Sequence, residues 1–355
     1  MSDPIVPRFE EPDAWGARLR ASAPDAPFVQ FPAHAAAKRA TGWRPRSLVA
    51  EASPDAWTGA QLLVRRLPAG LGAIAYAPRG PVTVGPDAAS AARTRAAFAA
   101  GLGSLRAEGV TLVRLELGDN LPVPAGTDEV APPAELTEPL RAPWRAALAA
   151  AGLRPHGAGT VQPRSSRIID LREGLDAVRA AWHPNRRRYV RQAEEAGVRV
   201  RVGDAGDAEA LYLAMRSIAA RKGTRARSTE LFAGILQAYG DAAELAIAEG
   251  GDGRLLGALL LVRTPATMSE PFGGATDEGN RLRATASLRA HAFARAIDHG
   301  CARYDLWGLP TRGIAEFKRD WGGTAVAYGG AFDVDLDPIR GPLARLALRA
   351  RGFGG

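Results

Sequence analysis

One order of elements, used twice, constrains this chain more than any other feature. After two short N-terminal helices, extended runs are expected at residues 43–51, 57–67 and 71–77, then an Ala-rich helix over 87–108 and a strand at 110–117. The same order returns as extended runs at 243–249, 254–262 and 267–275, a helix over 284–299 and a strand at 302–307. The starts are offset by roughly 190–200 residues while identity between the halves is weak, the pattern of two copies of one α/β domain. Turn chemistry supports both meanders, with Ser53-Pro54-Asp55 and Pro68-Ala69-Gly70 in the first half and Gly250-Gly251-Asp252-Gly253 in the second. Each helix then returns the chain by a right-handed crossover, so mixed sheets are expected. At 355 residues there is room for two such domains, each burying its own core.

The net charge of +8 is concentrated: residues 164–227 hold 14 Arg and one Lys against eight acids. Inside that region Asn185-Arg186-Arg187-Arg188-Tyr189-Val190-Arg191 reads as a helix with Pro184 in its first turn and Gly197 beyond its end. Arg187 and Arg191 share a face. Glu194 and Glu195 oppose the helix dipole in the last turn, so stability alone does not explain the segment. It is either a solvated basic face or a contact surface for phosphates. Aromatic residues are 6% of the chain and do not alternate with the arginines, which argues against a non-catalytic platform for single-stranded nucleic acid. One cysteine, Cys301, excludes a disulfide framework and reads as a small core residue. The histidines lack metal-ligand spacing, so no metal is expected. The longest apolar run, 255–262, is too short to span a bilayer, and the acidic N-terminus has no signal-peptide core. A soluble, cytoplasmic protein with an anionic partner is the expectation.

The element order is similar to the acyl-CoA N-acyltransferase (GNAT) superfamily, so the expected fold is a tandem pair of GNAT-like α/β domains. In that superfamily a glycine-rich loop before the central helix holds a pyrophosphate. Arg281-Leu282-Arg283-Ala284-Thr285-Ala286 stands there with Ala284 in a glycine position, and the first half has lost the loop. Five further stretches, in order, resemble the Fem-type peptidyltransferases. They are Ala37-Lys38 through Trp43-Arg44-Pro45; Tyr76-Ala77-Pro78-Arg79-Gly80-Pro81; Asn185 to Arg188 with Glu194 to Gly197; Arg303-Tyr304-Asp305-Leu306-Trp307-Gly308; and Gly313 to Arg319 with Gly322-Gly323. Residues 178–200 leave no space for a coiled-coil arm, so the resemblance is to the compact, armless members.

The resemblance implies a tRNA-dependent aminoacyltransferase that adds an amino acid to the stem peptide of a peptidoglycan precursor. Its partners would be aminoacyl-tRNA and a lipid-linked or UDP-linked muropeptide, with no cofactor. Residues 1–160 with 335–355 would bind the precursor, and residues 161–334 would hold the aminoacyl end and the catalytic site. Lys38, Trp43, Arg79, Arg221 and Phe272 are implied as substrate contacts, Phe272 standing where family members often carry Tyr. Arg186, Arg187, Arg188 and Arg191 are candidates for tRNA contact. Lys318, beside Phe317, is implied at the catalytic centre. Of 46 cationic residues only Lys38, Lys222 and Lys318 are lysine, and two of these fall on positions the resemblance marks. Plainer accounts have Lys38 cap a short helix and Lys318 pair with Glu316 or Asp320.

Amide formation from an aminoacyl ester needs positioning, proton removal from the amine, and a cation near the carbonyl. Lys318 suits the last role. Glu116 and Asp119, at the end of a predicted strand, are base candidates and equally read as ordinary loop carboxylates. No Ser–His or Cys–His arrangement suggests a covalent intermediate. The alternative activity is coenzyme A-dependent N-acyl transfer. A basic amphipathic helix over 342–351 presents Leu343, Leu346 and Ala350 on one face, for packing on the first domain or for peripheral contact with an anionic membrane.

Overall fold

Pro and Gly punctuate the apolar runs of the first half where a meander must turn. The strands Arg44–Ser53, Ala56–Arg66 and Ala73–Ala77 pair antiparallel in succession. The helix Ala88–Gly101 starts at Asp87, whose carboxylate accepts from the Ser90 amide at 2.8 Å, and a 3-10 turn, Leu102–Glu108, closes at Gly109 in the left-handed region. Val110–Glu116 then lies parallel to Ala73–Ala77. The structure, a computed structural model, describes residues 4–222 and 227–353, with backbone alone at 217, 218 and 220–222. It divides into two units, Met1–Ser165 with Val326–Gly355, and Ser166–Ala325.

The first unit's sheet is completed by Arg8–Glu10 on the edge of Arg44–Ser53, by Val82–Val84 on Ala56–Arg66, and by Ala331–Asp335 and Pro155–Ala158 beyond Val110–Glu116. Residues 331–334 were expected with the second domain. The ladder from Ala331↔Glu116 to Asp335↔Leu112 makes the strand part of the first sheet. Alternate strand residues serve two layers. Leu48, Leu62, Val113 and Leu115 meet Phe98, Trp144 and Leu148 of the helices Ala88–Gly101 and Ala134–Ala150, and Leu102 of the 3-10 turn. Trp43, Leu63, Ile74, Tyr76 and Leu112 meet Ala35, Ala344 and Leu348. Arg114 and Asp333, both 0% exposed, pair through two hydrogen bonds of 2.7 and 2.9 Å in this unit.

The C-terminal helix, Arg340–Ala350, corrects one expectation. It packs on the first unit, but through Gly341, Ala344 and Leu348, and it leaves Leu343 and Leu346 exposed. Close approach decides the face: a Cβ at Gly341 would lie 2.9 Å from the Thr111 carbonyl, so only the small-residue side fits against the sheet.

The second unit repeats the plan. Strands Ala243–Glu249, Leu255–Arg263 and Thr267–Ala275 form the meander, the helix Ala284–Asp298 follows, and Arg303–Asp305 lies parallel to Thr267–Ala275. Arg199–Gly203 adds to the first strand and Ser165–Asp170 pairs with Arg303–Asp305. The basic helix is Pro184–Glu195, with Pro184 at its start, the His183 ring nitrogen accepting from the Asn185 amide at 3.2 Å, and Gly197 at φ +76° after its end. Its core gathers Trp182, Leu259, Leu261, Leu288, Phe293, Tyr304 and Trp321, with Cys301 among them.

Candidate active site

Open α/β sheets bind ligands beyond the carboxyl ends of their parallel strands, and in the second unit that is where the ladder stops. Thr267–Ala275 and Arg303–Asp305 are in register only from Thr267↔Arg303 to Ser269↔Asp305. Next come Glu270 and Pro271, where the register on the other neighbour also shifts, between Leu260↔Phe272 and Val262↔Ser269. Pro271 has no amide hydrogen to give and the bulge bends the strand, so the two chains part at this point.

Buried polar groups line the fork. Glu270 accepts from Arg289 at 2.8 Å with one oxygen and from the Tyr304 hydroxyl at 2.9 Å with the other. Asp305 accepts from the Ser166 hydroxyl and, at 2.8 Å, from the Trp307 amide, while the Gly308 amide donates to Ser166 at 3.0 Å. These bonds hold Trp307 and Gly308 at φ +47° and +90°. Trp307 there carries a backbone strain that a side chain other than Gly rarely accepts. In that conformation the carbonyls of Leu306, Trp307 and Gly308 converge on Lys318, whose Nζ donates to all three, at 3.1 Å to Trp307 and 2.9 Å to Gly308. An ammonium has three hydrogens, so all are engaged.

Lys318 is 7% exposed, and burial pulls its pKa down to about 8; Glu270 and Asp305 favour the charged form and Arg289 opposes it. It lies on the helix Arg312–Arg319, capped by Thr311. Phe317, half-buried, has the guanidinium carbons of Arg186 and Arg289 at 4.5 and 4.7 Å from its ring. The Asp320 carboxylate, a plain partner for Lys318, instead accepts from Arg186 at 2.9 Å.

The four arginines expected at tRNA thus separate. Arg186 lies on Phe317. Arg187, exposed like Arg188 and Arg191, donates to the carbonyls of Trp182 at 2.7 Å and of Arg179 and Ala180 at 3.2 Å, closing the helix Gly174–Ala180. Arg188 and Arg191 are on the exposed side, Arg188 5.4 Å from the Tyr189 ring, which Arg283 also covers at 4.4 Å. Arg191 sits 3.8 Å from Glu195. Phe272 packs half-buried on Phe232 and Arg227. Arg221 lies in the helix Ala208–Lys222, and its side chain is outside the described residues.

The same place in the first unit is filled. Its parallel pair runs from Ala73↔Val110 to Ala77↔Leu115, and just beyond it a Cβ at Gly118 would lie 2.3 Å from the Arg79 carbonyl. Arg79, 2% exposed and at φ +51°, donates to the Pro163 carbonyl at 2.5 Å and covers the Tyr328 ring at 3.2 Å. Glu116, 1% exposed, accepts from the Tyr76 hydroxyl and from the Gln162 amide at 2.7 Å. Burial raises its pKa, against the pull of Arg79. Trp43 is buried among Arg65, Tyr76 and Phe353. Asp119 is on an exposed stretch, its carbonyl accepting from the Gly329 amide at 3.2 Å. Lys38 ends the helix Pro32–Lys38, half-buried, near His34.

Sequence reasoning missed Glu270, Arg289 and Ser166. A Glu inside an apolar strand, followed by Pro, was the available signal for Glu270. Among the described residues no group of three His, Cys, Asp or Glu side chains could hold a metal ion, and no helix is long and apolar enough to cross a membrane.

The acetyltransferase (GNAT) domain family matches residues 184–319. No curated protein matches the chain by sequence. Among solved structures the chain is similar to FemX, at 18% identity over 96% of this chain and 99% of that one, with a TM-score of 0.75. It is also similar to a tandem GNAT protein from the clavulanic acid biosynthesis pathway (14%, 94% and 98%, TM-score 0.53). L-PGS from Bacillus licheniformis follows at 12% identity, 97% of each chain and a TM-score of 0.52. At such identities the likeness is one of fold, and the chain is a tandem GNAT-like α/β protein. The likeness to FemX agrees with the Fem-type resemblance carried by the five motif stretches.

Proposed function

We propose that the chain is a tRNA-dependent aminoacyltransferase acting on a peptidoglycan precursor. One observation carries this reading. Two Fem-type stretches separated in sequence, 303–308 and 313–319, meet at one point, where Lys318 binds the carbonyls of Leu306, Trp307 and Gly308. They meet beside the fork in the second sheet, and the FemX-like fold supports the same assignment.

In this reaction the acceptor amine attacks the aminoacyl ester carbon. A C–N bond forms, the C–O bond to the ribose breaks, and the amine proton ends on the ribose hydroxyl. No nucleotide triphosphate is consumed. Lys318 shapes the fork and places a positive charge beneath the site where the carbonyl oxygen gains charge. Phe317, stiffened by two guanidinium groups, supports the aminoacyl end. Arg188 and Arg191 meet tRNA phosphates. In the first unit Lys38 contacts the precursor, and the buried Trp43 and Arg79 support it from beneath. Burial raises the pKa of both carboxyls considered as base, Asp119 against the pull of Arg95 and Glu116 against that of Arg79, and the Glu116 oxygens already accept from Tyr76 and Gln162.

The test is transfer of a labelled amino acid from charged tRNA to UDP-linked and lipid-linked muropeptide by the purified chain. A labelled amide product is expected. Consumption of acetyl-CoA with no transfer from tRNA would favour the second reading, coenzyme A-dependent N-acyl transfer. That reading is supported by the GNAT family match and by Arg283 in the left-handed region at the start of Ala284–Asp298.

A further inference from the structure

The helix Arg340–Ala350 leaves an apolar line exposed because its small-residue side is fixed to the sheet. Ile339 is 73% exposed, Leu343 52% and Leu346 66%, and the spacing of four and three places them in one row that continues to exposed Ala350. The row is anchored, since Ala344 and Leu348 are buried with Leu112, Trp43 and neighbouring core residues and Gly341 lies against Thr111 and Asp335. Its borders are basic. Residues 338–351 contain Arg340, Arg345, Arg349 and Arg351 and no acid.

The acids nearest in sequence are already paired. Asp337 accepts from Arg340 at 2.9 Å, and Asp335 accepts from Arg345 at 3.1 Å. Arg349 donates only to a neutral group among its described bonds, the Gly157 carbonyl at 3.0 Å. Arg351 is exposed. An apolar ridge between guanidinium groups is the chemistry of a helix lying in the interface of an anionic bilayer, with leucine and isoleucine among the acyl chains and arginine at the headgroups. A protein partner would need acids around a matching groove, whereas an anionic lipid surface supplies both features at once.

We infer that this helix face docks the chain on anionic membrane surface. This deepens the proposed reading, because a chain held at a membrane takes its acceptor from the lipid-linked pool. The experiment needs neither precursor nor tRNA, so its failure leaves the transfer reaction untouched.

The full chain is floated with vesicles of equal parts phosphatidylglycerol and phosphatidylcholine, and with phosphatidylcholine alone. Retention on the anionic vesicles is expected, weakened by salt, and at least about tenfold lower for Ile339→Ser/Leu343→Ser/Leu346→Ser. Arg349→Gln/Arg351→Gln should lower retention on anionic vesicles without changing it on neutral ones. All five positions are exposed, and an unchanged circular dichroism spectrum verifies the fold. Equal retention of native chain and triple variant overturns the inference, as does no retention of the native chain. So does a native dimer that the three serines convert to monomer, which would assign the row to a second copy of the chain.

Discussion

The two copies of one fold treat the same position in opposite ways. In the first, the parallel strands stay paired to Ala77↔Leu115 with one shift after Ala73, and Arg79 packs just beyond, next to the Tyr76–Glu116 hydrogen bond. In the second, the ladder stops at Ser269↔Asp305, and a strained loop is held apart from the neighbouring strand by Lys318. Buried ion pairs appear in both, Arg114 with Asp333 in the first copy and Arg289 with Glu270 in the second, and only the second adds a lysine bound to three loop carbonyls.

The largest expected effect falls on the second copy. Lys318→Met removes three donors and leaves three carbonyls without their partner, so transfer should fall by about a hundredfold or more. Stability should drop by only about 1–3 kcal/mol. Transfer kinetics on folded protein check it. In the first copy Arg114→Met should have the reverse profile. It strands Asp333, which is 0% exposed, and costs about 3–5 kcal/mol by denaturant unfolding. Transfer per folded molecule should hardly change. Equal losses of transfer in the two variants would abolish the distinction between the copies.

Proton linkage gives a third test, because the two copies titrate in opposite windows. Lys318 sits at about 8 in the fold against an ordinary 10.5, so between those values the unfolded chain binds the extra proton and stability rises with pH. The ammonium is lost over the same window, so transfer by the native chain should decline above pH 8. Lys318→Arg, which does not titrate there, should lack that decline. In the first copy burial, helped by Lys38, lowers His34 to about 3 from 6.5. Stability should therefore fall as pH drops below 6.5, by up to about 1.4 kcal/mol per unit, and His34→Gln should flatten that slope in acid unfolding curves.

Much of the fold was legible because its signals are local. Meander turns at Pro54 and Gly253, the cap at Asp87 and the stop at Gly197 each act within a few residues, and every expected strand and helix of the repeat is present near its expected bounds. In the candidate site only a rare residue type stands out in the sequence: Lys318 in a chain of arginines. Its partners do not, since they are backbone carbonyls, which every sequence has. The role of Arg187 was hidden for the same reason. A helix face tells that Arg187 and Arg191 are neighbours, but not that the preceding helix ends beneath one of them and draws its guanidinium to three carbonyls. The C-terminal helix misled because hydrophobicity favoured Leu343 and Leu346, while close approach to the sheet demanded Gly341 and Ala344.

The smallest expected effect sharpens the division among the arginines of the second copy. Arg188 and Arg191 are exposed, so Arg188→Gln and Arg191→Gln should weaken tRNA binding by a few-fold each and lower the salt slope by about one apiece, with melting unchanged. Arg187→Gln should leave the slope nearly as it is and lower the melting temperature, because its bonds go to the chain itself. Arg186→Gln should combine a stability loss with reduced transfer, since that side chain joins Asp320 to the Phe317 ring. Binding isotherms at several salt concentrations separate the cases. A slope that falls equally for Arg187 and Arg188 would mean that the carbonyl contacts of Arg187 give way to phosphate when tRNA arrives. The helix would then present all its arginines to one ligand, and its basic excess would belong to function throughout.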